Sequence, residues 1–147
     1  MTRAEATERI LAAKQKKGLT FEAIAASVGR HMVWTTAALL GQATMSKEEA
    51  QNAGAALGLE PDVVAALQEF PTKGSLEHSV PVDPLIYRFH EITQVYGTTL
   101  KAIIHEIFGD GIMSAIDFEL DVQKKEDPKG DRVVVTMNGK FLPYKKW

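Results

Sequence analysis

The chain has 147 residues, 45% of them hydrophobic, which suits a globular protein of one domain or two small ones, and it has no cysteine, which excludes disulfides, thiolate metal sites and a cysteine nucleophile. Its net charge is −2, with eight Lys/Arg against nine Asp/Glu in residues 1–80 and nine against ten in the rest, so neither half has the cationic excess of a nucleic-acid or membrane binder. No apolar stretch approaches the roughly 18 residues of a membrane span and the opening residues carry no signal-peptide pattern, so a soluble, cytoplasmic protein is expected.

From Thr2 to Lys17 the pattern predicts an amphipathic helix that turns Ala6, Ile10, Leu11 and Ala13 toward a core and ends at Gly18. Thr20 opens a second helix through Ile24, Ala25 and Val28, closed by Gly29, and His31 to Leu40 forms a third, closed by Gly41. Ser46-Lys47-Glu48-Glu49 is a capping box for a helix ending at Gly58, and Pro61 begins a last one. This succession of short helices and tight glycine turns resembles the helix-turn-helix bundle of phage-repressor-like regulators. The helix in the recognition position, His31 to Leu40, holds no Lys, Arg, Asn or Gln, the side chains on which base readout and phosphate contacts mainly rest. Trp34, Leu39 and Leu40 instead suggest a packing surface, so the bundle is expected to be structural and covered by another subunit.

Residues 71–83, with Pro71, Gly74, Ser75, Ser79 and Pro81, read as a linker. Asp83 and Pro84 then give an N-cap and first-turn proline for a helix expected to stop at Gly97. On it Tyr87, Arg88, Glu91 and Val95 share one stripe. Thr98 or Thr99 caps a second helix through Leu100, Ile103, Ile104 and Ile107, and the turn Gly109-Asp110-Gly111 delivers Ser114 just ahead of a strand. In that strand Ile116, Phe118, Leu120 and Val122 alternate with Asp117, Glu119, Asp121 and Gln123. Asp127-Pro128-Lys129-Gly130 makes a turn, Arg132 to Met137 a second strand, and Asn138-Gly139 a tight hairpin turn into Lys140-Phe141-Leu142. The expected fold class is α+β: a helix-turn-helix-like bundle over residues 1–70, the linker, and a small domain over residues 84–147 with two helices and two to three strands. So small a unit makes a poor core by itself, which an intertwined dimer would remedy.

Arg88 and Glu91, three apart on a helix, point the same way. If they face inward, they suggest a pocket for a small anion, since guanidinium offers a planar fork of donors to carboxylate-like oxygens. By spacing alone, most such pairs are solvent-screened surface contacts worth about 0.3–0.5 kcal/mol, and a serine after a glycine-rich turn is usually a turn residue. Residues 111–115 lack the flanking glycines of a serine-hydrolase elbow. His90 and His105 lack the spacing of a zinc site, so no metal is expected. Asp117, Glu119 and Asp121 read as one exposed polar strand face.

The run YRFHEITQVYGTTLKAIIHEIFGDGIMSAIDFELDV and the tail VTMNGKFLPYKKW closely resemble the cyanase family, the cyanate hydratases. YRF-x-E, QVYGTTLKA, HE-x-FGDGI and NGK-[FY]-LP occur in family order across residues 81–147, while over residues 1–70 only the helical pattern supports the likeness. The resemblance implies bicarbonate-dependent decomposition of cyanate to ammonia and carbon dioxide, through a dianionic adduct and carbamate, with Arg88, Glu91 and Ser114 as catalytic residues. It implies bicarbonate as co-substrate, no cofactor, and a homo-oligomer in which intertwined dimers build a decamer with active sites at subunit interfaces. The alternative left open by the helical half is a helix-turn-helix transcriptional regulator whose C-terminal domain oligomerises or senses an anion.

Overall fold

A computed structural model describes residues 1–74 and 78–147, which fall into two compact units, Met1–Ser75 and Leu76–Trp147. Ser75, one of the residues read as linker, lies outside the described residues.

The first unit contains α1 (Arg3–Lys17), α2 (Phe21–Val28), α3 (Met32–Leu39), α4 (Lys47–Leu57) and α5 (Pro61–Ala66). Local chemistry sets most of their starts. Thr2 with Glu5, and Ser46 with Glu49, form reciprocal capping boxes, and the Thr20 hydroxyl accepts from the Ala23 N–H. Gly29, at φ 78°, supplies the left-handed turn between α2 and α3. Ile10, Ile24, Leu39, Met45, Leu57 and Leu67 are fully buried in one core. Leu11, expected inside, is 38% exposed. Ala6 and Ile10 already fill the inward face of α1, and the next residue points about 100° away.

Arg3 ties this bundle together. Its Nη1 donates to the Ala66 carbonyl at 2.7 Å, and its Nη2 to those of Ala38 at 2.9 Å and Ala43 at 3.1 Å. Carbonyls at helix C-terminal ends have spare acceptor capacity, so one guanidinium at the start of α1 links the ends of α3 and α5, where Ala38 and Ala66 also accept from the N–H groups of Gly41 and Glu69. Burial lowers the Arg3 pKa, and Glu69 opposes that shift. In α3 itself Thr35, Ala38 and Leu39 are buried.

The second unit departs from the expected elements in three places. Where two helices were predicted there is one, α6, running Pro84–Phe108. Its N-terminus is capped as read, with Asp83 Oδ1 accepting from the N–H groups of Leu85 and Ile86, both at 2.9 Å. Gly97 does not end it, because Leu85, Phe89, Ile92, Tyr96, Leu100, Ile103 and Ile107 continue a single stripe at spacings of 3 or 4 through that position. The cost of glycine inside a helix, about 1 kcal/mol relative to alanine, is too small to break so long a pattern. Gly109, at φ 88° and ψ −167°, ends the helix.

The sheet has two antiparallel strands, β1 (Gly111–Lys125) and β2 (Arg132–Pro143). Asn138 and Gly139 do not form a hairpin turn. They lie within β2, opposite Glu119 and Phe118. The chain reverses near Asp127, whose side chain accepts from the Lys129 N–H at 2.8 Å. Pairing jumps from Met113–Phe141 to Phe118–Gly139, so residues 114–117 lie opposite Lys140 alone. Ile116, expected on the apolar strand face, therefore leaves the alternation and is 97% exposed.

Among the described residues of this unit only Gly111 and Ser114 are buried. The α6 stripe and apolar residues of both strands are bare in a single chain. No helix among the described residues is long and apolar enough to cross a membrane.

Candidate active site

The N-terminal turns of α6 place Arg88 and Glu91 on neighbouring positions, with Arg88 Nη1 at 3.3 Å from Glu91 Oε2. Their side chains are 57% and 48% exposed, so within one chain the pair faces outward. At about 100° per residue it lies beside the stripe of Leu85, Phe89 and Ile92. The Arg88 guanidinium carbon also sits 5.2 Å from the centre of the Tyr87 ring, which in turn packs near His90. A guanidinium has five N–H donors, so the ion pair with Glu91 leaves a fork of donors for an anion.

Ser114 has a contrasting environment. It is only 5% exposed, and it begins the irregular stretch of β1 instead of lying ahead of the strand as expected. Its Oγ accepts from the backbone N–H of Ile116 at 3.1 Å and of Asp117 at 2.9 Å. A serine hydroxyl has two acceptor lone pairs and one proton. With both lone pairs engaged by backbone donors, the remaining function is the O–H, which can donate to an anion. The geometry therefore suits an oriented donor better than a nucleophile, whose attack requires a free lone pair.

The end of α6 is anchored to this region. His105 Nε2 lies 3.3 Å from the Gly111 carbonyl, and the Phe108 and Phe141 rings stack with centroids 5.0 Å apart. Sequence reasoning had no means of pairing His105 with Gly111, and it missed the Phe108–Phe141 stack and the two N–H groups that hold Ser114. All depend on the β1–β2 register, which no local pattern reveals.

Within one chain Ser114 is well separated along the backbone from the Arg88–Glu91 pair. At about 1.5 Å of rise per residue, Arg88 is some 30 Å along α6 from Gly109, and five extended residues recover at most about 18 Å of that. Their Cα atoms thus stay more than about 12 Å apart. Among the described residues no group of three or more His, Asp or Glu side chains could hold a metal ion. Asp117 lies in the irregular stretch, apart from Glu119 and Asp121 in the paired strand.

Comparison with known proteins covers both units. Residues 3–71 match the family model described as Cyanate hydratase, N-terminal, and residues 78–146 the one described as Cyanate lyase C-terminal domain. A cyanate hydratase of Synechococcus sp. (strain CC9311) is 62% identical over 141 residues, covering 96% of this chain and 94% of that protein. Another, of Parasynechococcus marenigrum (strain WH8102), is 58% identical over 147 residues and covers 100% of both. A crystal structure of cyanase from T. urticae shares the fold with a TM-score of 0.85 at 42% identity, covering 94% of this chain and 96% of that one. The chain belongs to the cyanate hydratase family, the cyanate lyases.

Proposed function

We propose that this protein is a cytoplasmic cyanate hydratase that combines cyanate with bicarbonate and releases ammonia and carbon dioxide, with Arg88, Glu91 and Ser114 as its catalytic residues. The observation that carries the reading is end-to-end likeness to proteins of that name, 58% identical over 147 residues in one case. The regulator alternative finds no support in α3, which offers no Lys, Arg, Asn or Gln for DNA contact.

The chemical difficulty is that both substrates are anions. A bicarbonate oxygen attacks the cyanate carbon and forms a C–O bond, bicarbonate's own proton moves to the nitrogen, and the adduct is a dianion. Cleavage of the bond between that oxygen and the bicarbonate carbon releases carbon dioxide, and the nitrogen takes up a proton to give carbamate. Carbamate takes up a second proton and breaks its C–N bond to give ammonia and a second carbon dioxide. Redox chemistry is not involved, so positioning and charge stabilisation supply the catalysis, and the reaction calls for no cofactor or metal beyond bicarbonate as co-substrate. Arg88 makes a forked contact to the dianion, Glu91 orients the guanidinium, and the Ser114 hydroxyl donates a further hydrogen bond.

The site is completed between chains. Support comes from the separation of Arg88 and Ser114 within one chain and from the bare apolar stripe of α6, which requires cover from another copy. The assembly is an intertwined dimer repeated into a decamer. Purified protein incubated with cyanate should release ammonia only when bicarbonate is present, and Arg88→Ala should abolish the release. Bicarbonate-independent turnover, or none at all, contradicts the proposal.

A further inference from the structure

Gly139 lies in β2 opposite Phe118, at the edge of the irregularity that carries Ser114. A Cβ placed there would collide with the Ser114 carbonyl oxygen and would lie 2.5 Å from Met113 Cγ. Its backbone is not in the left-handed region. Alanine is therefore allowed by its dihedrals, and what the position demands is space. A methionine side chain can swing away from an added methyl, whereas the carbonyl oxygen moves only with the backbone of residues 114–117. That same stretch aims the N–H groups of Ile116 and Asp117 at Ser114 Oγ.

Resting on the reading of Ser114 as a substrate donor, we infer that Gly139 is a positioning residue for the reaction, whose missing side chain lets β2 close onto the Ser114 carbonyl and so fixes the direction of the hydroxyl proton. A shift of about 1 Å in a catalytic group can lower turnover about a hundredfold without loss of fold. Gly139 touches no substrate and acts through Ser114.

The test compares wild type, Ser114→Ala, Gly139→Ala, the double variant, and Gly139→Ala combined with Met113→Ala, each followed by ammonia release, assembly mass and thermal melting. Gly139→Ala should lose at least about tenfold in kcat while assembling like wild type. The double variant should be no slower than Ser114→Ala alone, because residues that act as a unit are not additive. Met113→Ala should fail to restore Gly139→Ala, since the carbonyl collision remains. Wild-type kcat in Gly139→Ala, losses that multiply in the double variant, or rescue by Met113→Ala would each overturn the inference. So would a Gly139→Ala chain that fails to assemble even when co-expressed with wild-type chains, because the glycine is then a requirement of folding. Full turnover by Ser114→Ala instead removes the underlying reading of Ser114, an outcome distinct from all of these.

Discussion

Ser114 Oγ accepts a 2.9 Å hydrogen bond from the backbone N–H of Asp117, three residues further along an irregular strand. With the second bond from Ile116, this leaves the hydroxyl proton as the group's free function. Ser114→Ala should therefore lower kcat by about 10²–10³, the usual effect of removing one preorganised donor. Ser114→Cys should remain impaired, because a thiol is a weak donor even though it is the better nucleophile. Steady-state ammonia release distinguishes the roles, and wild-type rates from the cysteine variant would argue for a nucleophile.

Arg88→Lys keeps the charge and loses the fork. A lysine ammonium is a point charge that cannot present two parallel N–H donors, so this variant should lose at least about 10²-fold in kcat/KM. The exposed ion pair to Glu91 contributes little to stability, so melting of the variant should match wild type. Near-normal turnover in Arg88→Lys would remove the bidentate contact from the mechanism.

Arg3 supplies donors to three backbone carbonyls in the helical unit. Arg3→Met retains much of the aliphatic stem and removes this donor from all three carbonyls, of which Ala38 and Ala66 keep the N–H groups of Gly41 and Glu69. Since a hydrogen bond to a charged group is worth about 1.5–3 kcal/mol, urea unfolding of this unit should show a loss of at least that size. A change below about 0.5 kcal/mol, the range of ordinary surface substitutions, would mean that water replaces the guanidinium without cost.

Glu49 links capping to pH. The hydrogen bond from the Ser46 backbone N–H, the largest cause, together with Arg30, holds its carboxyl below the usual glutamate value despite an opposing effect of burial. A depressed folded-state pKa means that the unfolded chain takes up the proton first as pH falls. The contribution is thus complete above the ordinary glutamate pKa of about 4.3 and disappears as pH drops through the lower folded value. Wild type should lose stability more steeply than Glu49→Gln on going from neutral to acid pH. Parallel stability–pH curves for the two proteins would show that the carboxylate has no such role.

What the sequence discloses about this fold follows the range of the interactions. Caps at Thr2, Thr20, Ser46 and Asp83 are legible because donor and acceptor lie within three residues of each other. Gly97 and Asn138-Gly139 mislead because they carry turn signals in places where longer patterns prevail, the continuous apolar stripe of α6 and the pairing of β2 with β1. The ion pair between Arg88 and Glu91 follows from helical spacing. Whether that pair faces inward does not follow from spacing, and in a single chain both side chains are about half exposed. The setting of Ser114 depends on a register jump opposite Lys140, which has no signature in the residues themselves.

Complementation between impaired variants tests the proposal of a site shared between chains most directly. Arg88→Ala and Ser114→Ala chains, each severely impaired alone, are co-expressed with different tags and their mixed assemblies isolated. If Arg88 and Ser114 of one site come from different chains, some sites in the mixture combine two intact contributions, and bicarbonate-dependent ammonia release returns. Verified mixed assemblies that stay severely impaired at every ratio would contradict a site built across chain boundaries.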